Sequence, residues 1–170
     1  KATVVFTGDG GTSEGDFHEA LNVASVWDLP VLFVIENNGY GLSTPNKEQF
    51  KGESLAIRGE GYGIESLSID GNNILEVYKS VKSKLDEIRK NPRPVLIECF
   101  TFRMRGHEEA SGTKYVPKKV MGYWANKDPV INYEKYLIEN EVYSSDQISE
   151  IREEIKKEIN NAVKESFDQK

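Results

Sequence analysis

Asp9 and the pair Asn37-Asn38 are the residues whose types and spacing could hold a hard cation. Asp9 lies in Gly8-Asp9-Gly10-Gly11 and the amides in Glu36-Asn37-Asn38-Gly39-Tyr40, with 26 residues, Gly11 to Glu36, between Gly10 and Asn37. A carboxylate, an amide oxygen and nearby backbone carbonyls suit magnesium or calcium rather than zinc. Gly8, Gly10 and Gly11 would let backbone N–H groups approach a phosphate closely. Either short string alone reads as an ordinary turn. Their joint meaning depends on where the chain places them.

The elements around them predict that placement. Residues 2–7 read as a short buried strand. Phe17, Ala20, Leu21, Ala24 and Trp27 fall at helical spacing between Glu14 and Asp28, and a second strand runs from Val31 to Ile35. In a parallel βαβ unit the carboxyl ends of the two strands lie side by side, where open α/β sheets bind ligands. Ser43 to Phe50 reads as a loop, and Gly59-Glu60-Gly61-Tyr62-Gly63 as a bend. A third strand, Ile64 to Ile69, precedes a helix striped by Ile74, Val77, Tyr78, Val81, Leu85 and Ile88. Val95 to Phe102 has the continuous apolar character of a central strand. The alternation predicts an α/β fold with a doubly wound, mostly parallel sheet. Residues 105–129 read as an irregular functional loop. A helix around Tyr133–Asn140 follows. A long last helix carries Ile148, Ile151, Ile155, Ile159, Val163 and Phe167 along one side. The expected division is an α/β domain over 1–128 and a helical extension over 129–170, packing on that domain or on a partner.

Composition narrows the function. The net charge of −6 argues against broad nucleic-acid binding, and no apolar run is long enough for a membrane helix. The one cysteine, Cys99, has no partner for an internal disulfide, which favours a reducing, cytoplasmic setting. No Gly-Lys-Ser/Thr follows the first glycines, and the dinucleotide pattern lacks its third glycine. Lys1 begins almost on a strand with no lead-in, so the expectation is a piece of a longer chain.

The Gly-Asp-Gly … Asn-Asn spacing resembles the thiamine diphosphate motif. The longer strings Thr12-Ser13-Glu14-Gly15-Asp16-Phe17-His18-Glu19-Ala20-Leu21-Asn22 and Glu36-Asn37-Asn38-Gly39-Tyr40-Gly41 resemble the alpha subunit of the thiamine-dependent decarboxylase component of 2-oxo acid dehydrogenase complexes. The resemblance implies a three-layer fold, the diphosphate half of a thiamine diphosphate site, and a magnesium ion held by Asp9, the Asn38 side chain and the Tyr40 carbonyl. Leu42 would help wedge the cofactor into a bent conformation. His18 reads as structural.

Thr101-Phe102-Arg103-Met104-Arg105-Gly106-His107 resembles the family's strand end and active-site loop. His107 would reach the diphosphate or the bound intermediate, while Arg103 and Arg105 would brace the loop or meet anions. The loop departs from the family where many members have Ser directly after that His and Asp three residues further on. Here Glu108 and Ser111 stand there, so phosphorylation at the first position is not expected. The resemblance implies decarboxylation of a 2-oxo acid and acyl transfer to a lipoyl domain of the acyltransferase component. A beta subunit or fused beta half would supply the glutamate that activates the aminopyrimidine, so this stretch alone is expected to be inactive. Arg105-Gly106-His107-Glu108-Glu109-Ala110-Ser111-Gly112-Thr113-Lys114-Tyr115 resembles bacterial chains assigned to 2-oxoisovalerate, which implies branched-chain 2-oxo acids as substrates. Pyruvate or acetoin oxidation, transketolase-like carbon transfer and a non-catalytic cofactor-binding module remain alternatives.

Overall fold

The computed structural model describes residues 1–108 and 110–169. The chain divides into two compact units, 1–128 and 129–170.

In the first unit β1 (Thr3–Gly8), β2 (Val31–Asn37), β5 (Glu65–Asp70) and β6 (Val95–Phe100) form one sheet in the order β1-β2-β6-β5. All three pairings are parallel, so the α/β class expected from the alternation is the one observed. Side chains alternate across β2 and β6, building a core on each face. On one face Phe33, Ile35 and Leu96 pack with Phe17, Leu21 and Ala24 of α1 (Gly15–Val26) and with Leu55, Ala56 and Ile64. On the other, Leu32, Val34, Val95, Ile97 and Cys99 pack with Ile69 and with Val77, Val81, Leu85 and Ile88 of α4 (Ile74–Lys90). Asn73 caps α4 by accepting from the Glu76 N–H at 3.3 Å. Burial pushes the Cys99 thiol up to about 11, so it stays protonated.

Several expectations need correction. β1 is an edge strand rather than a buried one, and Phe6 is 65% exposed; its apolar run does not say how many neighbours it has. Trp27, placed on the buried stripe of α1, is 68% exposed because the helix ends at Val26. Ile74 and Tyr78 likewise lie on the exposed side of α4. The stretch read as a loop holds a two-residue ladder, β3 (Tyr40–Gly41) with β4 (Thr44–Pro45), and a one-turn helix, α2 (Asn46–Gln49). A second one-turn helix, α3 (Ile57–Glu60), precedes β5. Within 105–129, α5 (Lys118–Ala125) follows Pro117, and Trp124 stacks on Phe102 at 5.6 Å. Glu109 lies outside the described residues.

The second unit pairs α6 (Pro129–Glu139) with α7 (Ser145–Asp168). Pro129 sits at the first helical position, where its missing N–H costs nothing, so α6 starts earlier than the apolar pattern suggests. Ser144 and Gln147 form a reciprocal capping box at the start of α7. Arg152 pairs with Glu134 at 2.6 Å. No helix among the described residues is long and apolar enough to cross a membrane.

Candidate metal and diphosphate site

The parallel register sets Gly8 opposite Glu36 and Asn37 opposite Phe100. The ends of β1, β2 and β6 therefore open on one edge of the sheet. After β1 the chain enters a single 3₁₀ turn, Gly10–Ser13, tied to Asp9 by Thr12, whose N–H and Oγ1 both donate to the Asp9 carbonyl at 3.2 and 2.6 Å. After β2, Asn37 Oδ1 accepts from the Gly39 N–H at 3.0 Å and Asn38 Oδ1 from the Tyr40 N–H at 3.2 Å. These Asx turns are the local habit of asparagine. They work here because Gly39 takes a φ of +85°.

The two turns approach so closely that even a methyl between them would push them apart. A Cβ on Gly10 would lie 3.1 Å from the Gly41 Cα, and one on Gly41 would meet Gln49 at 2.9 Å. One cavity of about 510 Å³ opens there. The structure brings Gly8, Asp9, Gly10, Gly11, Asn38, Tyr40, Leu42, Arg103 and His107, all nine predicted site residues, to its wall. Arg105 is not among the lining residues.

The Asp9 carboxylate is 2% exposed, and its Oδ2 has no hydrogen-bond partner. Burial raises its pKa above the ordinary aspartate range, against the pull of the backbone N–H groups of Asp9, Asn38 and Gly10 and of the Arg103 charge. A buried, incompletely satisfied carboxylate is costly unless something else completes it. A divalent cation fits that gap. No cluster of three or more His, Cys, Asp or Glu able to hold a metal occurs among the described residues. The donor set is thus one carboxylate, the second lone pair of the Asn38 amide oxygen and backbone carbonyls. Such a set suits a hard cation sharing oxygens with a bound phosphate.

Arg103 organises the opposite wall. Its Nη2 donates to the Leu42 carbonyl at 2.7 Å and to the Tyr115 hydroxyl at 3.1 Å, and its Nη1 meets His107 Nδ1 at 3.1 Å. A guanidinium can only donate, so this contact leaves Nδ1 as the acceptor and Nε2 as the ring nitrogen that can donate. Arg103 Nε is buried without a partner, a second incomplete group on this wall. Leu42 takes a φ of +55° with its side chain 61% exposed. That left-handed backbone is unfavourable for leucine, and the Arg103 bond to its carbonyl helps to hold it.

Sequence reasoning missed Glu98. It is fully buried in the middle of β6 and accepts from Asn37 Nδ2 at 2.7 Å, Ser68 Oγ at 2.8 Å, Ser54 Oγ, and the backbone N–H groups of Leu55 and Ala56 at 3.1 and 3.2 Å. Burial pushes its pKa up, but the donors, Ser54 and Asn37 foremost, outweigh it and hold the carboxyl below the ordinary glutamate range. A charge inside Val95-Leu96-Ile97-Glu98-Cys99 was the available signal.

The sequence profile described as Dehydrogenase E1 component matches residues 1–170. The chain belongs to this family. Its curated relatives include 2-oxoisovalerate dehydrogenase subunit alpha 1, mitochondrial, of Arabidopsis thaliana, 41% identical over 95% of this chain and 34% of the relative. The alpha 2 protein of the same plant is 38% identical over the same shares. The pyruvate dehydrogenase E1 component subunit alpha of Acholeplasma laidlawii is 37% identical over 96% of this chain and 48% of the relative. The chain is therefore of the E1 alpha type, and it spans about a third to a half of the length of these relatives.

Proposed function

We propose that this chain supplies the magnesium-diphosphate half of a thiamine diphosphate site in an enzyme that oxidatively decarboxylates a 2-oxo acid and passes the acyl group to a lipoyl domain. The observation that carries the reading is the Asp9 oxygen without a partner, set into the cavity that Asn38, Tyr40, Arg103 and His107 share. Asp9, the Asn38 amide oxygen and the Tyr40 carbonyl would hold magnesium. Gly10 and Gly11 would bring backbone close to the diphosphate. When bound, thiamine diphosphate supplies the electron sink for loss of carbon dioxide. His107 presents Nε2 as a donor to an anionic oxygen. Arg103 keeps Nδ1 as the acceptor and orients the loop. Leu42 offers the cavity an apolar side chain from a backbone already bent towards it. The activating glutamate and part of the pocket would come from a beta subunit or fused beta half, so residues 1–170 alone would be inactive.

Branched-chain acids are the favoured substrates, on the likeness of the 105–115 segment and the 41% identity to a protein named for 2-oxoisovalerate. Pyruvate is the second reading, favoured by relatives of nearly equal similarity named for it. The test is dye-coupled oxidation by the full-length gene product with its beta half, magnesium and thiamine diphosphate. 3-Methyl-2-oxobutanoate, pyruvate and acetoin are compared by kcat/KM. Preference for the branched acid is expected. Preference for another keeps the site and discards the substrate. No turnover, with bound cofactor, would point to carbon transfer or a non-catalytic module.

A further inference from the structure

The two turns that offer the metal donors follow neighbouring strands, and beyond the direct pull of the Asn38 N–H on the Asp9 carboxylate they share a longer connection. The connection runs underneath them. Asn37 turns its side chain away from the cavity: Nδ2 donates to Glu98, while Oδ1 accepts from the Gly39 N–H and from Asn46 Nδ2 at 2.6 Å. Glu98 thus holds the Asn37–Tyr40 turn. The same carboxylate accepts from Ser54 and from the N–H groups of Leu55 and Ala56. Two residues further on, Arg58 Nη1 donates to the Thr12 carbonyl, and its guanidinium lies over the Phe50 ring at 5.5 Å. Thr12 in turn holds Asp9. One continuous path therefore leads from Asn38, through Asn37, Glu98, the 54–58 segment, Arg58 and Thr12, to Asp9.

Resting on the functional reading above, we infer that Glu98 is a positioning residue for the metal: it sets the Asn38–Tyr40 donors and the Asp9 donor at a fixed separation by anchoring both turns to β6. An apolar residue would fill the same space without the cost of burying a charge. What leucine cannot do is accept from five donors at once, and every neighbour of this carboxylate in the hydrogen-bond pattern is a donor. Glutamine keeps only part of this: on the Oε1 side its NH₂ would face the Asn37 NH₂ and the Leu55 N–H, and on the Oε2 side it would face the Ala56 N–H and force the Ser54 and Ser68 hydroxyls to turn from donors to acceptors. Partners behind a metal's direct ligands fix their geometry in this way.

The test uses the full-length gene product assembled with its beta half and saturated with thiamine diphosphate. It is titrated with Mn²⁺ in place of Mg²⁺, with uptake read from water-proton relaxation. Glu98→Gln is expected to weaken Mn²⁺ binding about tenfold. Ile88→Val, which trims the core on the opposite face of the sheet, should lower the melting temperature yet leave Mn²⁺ affinity within about twofold. If Glu98→Gln does not fold, Ser54→Ala decides, since it removes one donor and keeps the carboxylate; weakening of about threefold is expected. Unchanged affinity in the folded glutamine variant, or in Ser54→Ala when that variant decides, overturns the inference, as does equal weakening in Ile88→Val. Wild-type protein that takes up no Mn²⁺ with thiamine diphosphate overturns the functional reading instead, and the inference with it.

Discussion

Asp9, just past the end of β1, and Glu98, in the middle of β6, are both carboxylates with no appreciable contact with water. Glu98 is met by three side chains and two backbone N–H groups, and its pKa falls. Asp9 keeps an oxygen with no partner, and its pKa rises. Burial alone therefore does not separate a structural acid from a binding one. The count of donors does. A carboxylate surrounded by donors is finished within the fold, whereas one left incomplete is a place where the fold accepts a cost that a ligand can repay.

Removing each charge in turn should break the symmetry most sharply. Because Asp9 has a raised pKa, the folded chain holds its proton more tightly than the unfolded chain. Its contribution to stability thus declines as pH rises from the ordinary aspartate value through the folded one. Asp9→Asn should therefore raise the melting temperature of the cofactor-free protein while weakening magnesium binding about a hundredfold or more. Glu98 has the opposite sign: its contribution is present above the ordinary glutamate value and is lost as pH falls through the folded one. Glu98→Gln should destabilise the same protein at neutral pH by about 2–3 kcal/mol, from buried donors left facing an amide. Denaturant unfolding of both variants at pH 7 without cofactor measures the contrast. Two shifts of the same sign would remove the distinction.

A smaller effect is expected where the two turns meet. Gly10→Ala places a methyl 3.1 Å from the Gly41 Cα, tighter than ordinary packing, so the turns must part by a few tenths of an ångström. Glu98 and Arg58 are untouched. Magnesium affinity, measured by calorimetry with thiamine diphosphate present, should drop about tenfold with little change in stability. A large loss of stability would mean that the contact serves folding rather than the site.

The half of this comparison that involves Asp9 was legible in the sequence. Glycines beside an acid at a strand end, and amides at the next strand end, are local signals carried by neighbours in the chain. Glu98 was not legible as an anchor, since its partners lie 30 to 61 residues away, and an apolar run states that a strand is buried without stating what surrounds one odd residue. The same limit explains β1. Val4, Val5 and Phe6 say strand, but sheet order decides whether they are covered. The short helices α2, α3 and α5 escaped for another reason. Each is too short to show a clear helical period.

The least costly carboxylates to remove should be those at the far end of the sheet, where water does much of the work. Glu65 accepts from Lys84 at 2.6 Å and Arg93 at 2.7 Å, and Glu87 from the same two cations at 3.0 and 2.8 Å. The Arg93 bond, then the Lys84 bond, holds Glu87 down at about 2; for Glu65 the order is Lys84, then Arg93. Both depressed acids contribute above the ordinary glutamate value, and the contribution fades as pH falls through the folded value, which for Glu87 is about 2. Yet these groups are exposed and screened by salt, unlike Glu98, so the network is worth little despite its short distances. Glu87→Gln should lower the melting temperature by only about 2 °C at low ionic strength, and half-molar salt should erase the difference. A loss that survived the salt would place Glu87 with Glu98, among the acids that the fold cannot replace with water.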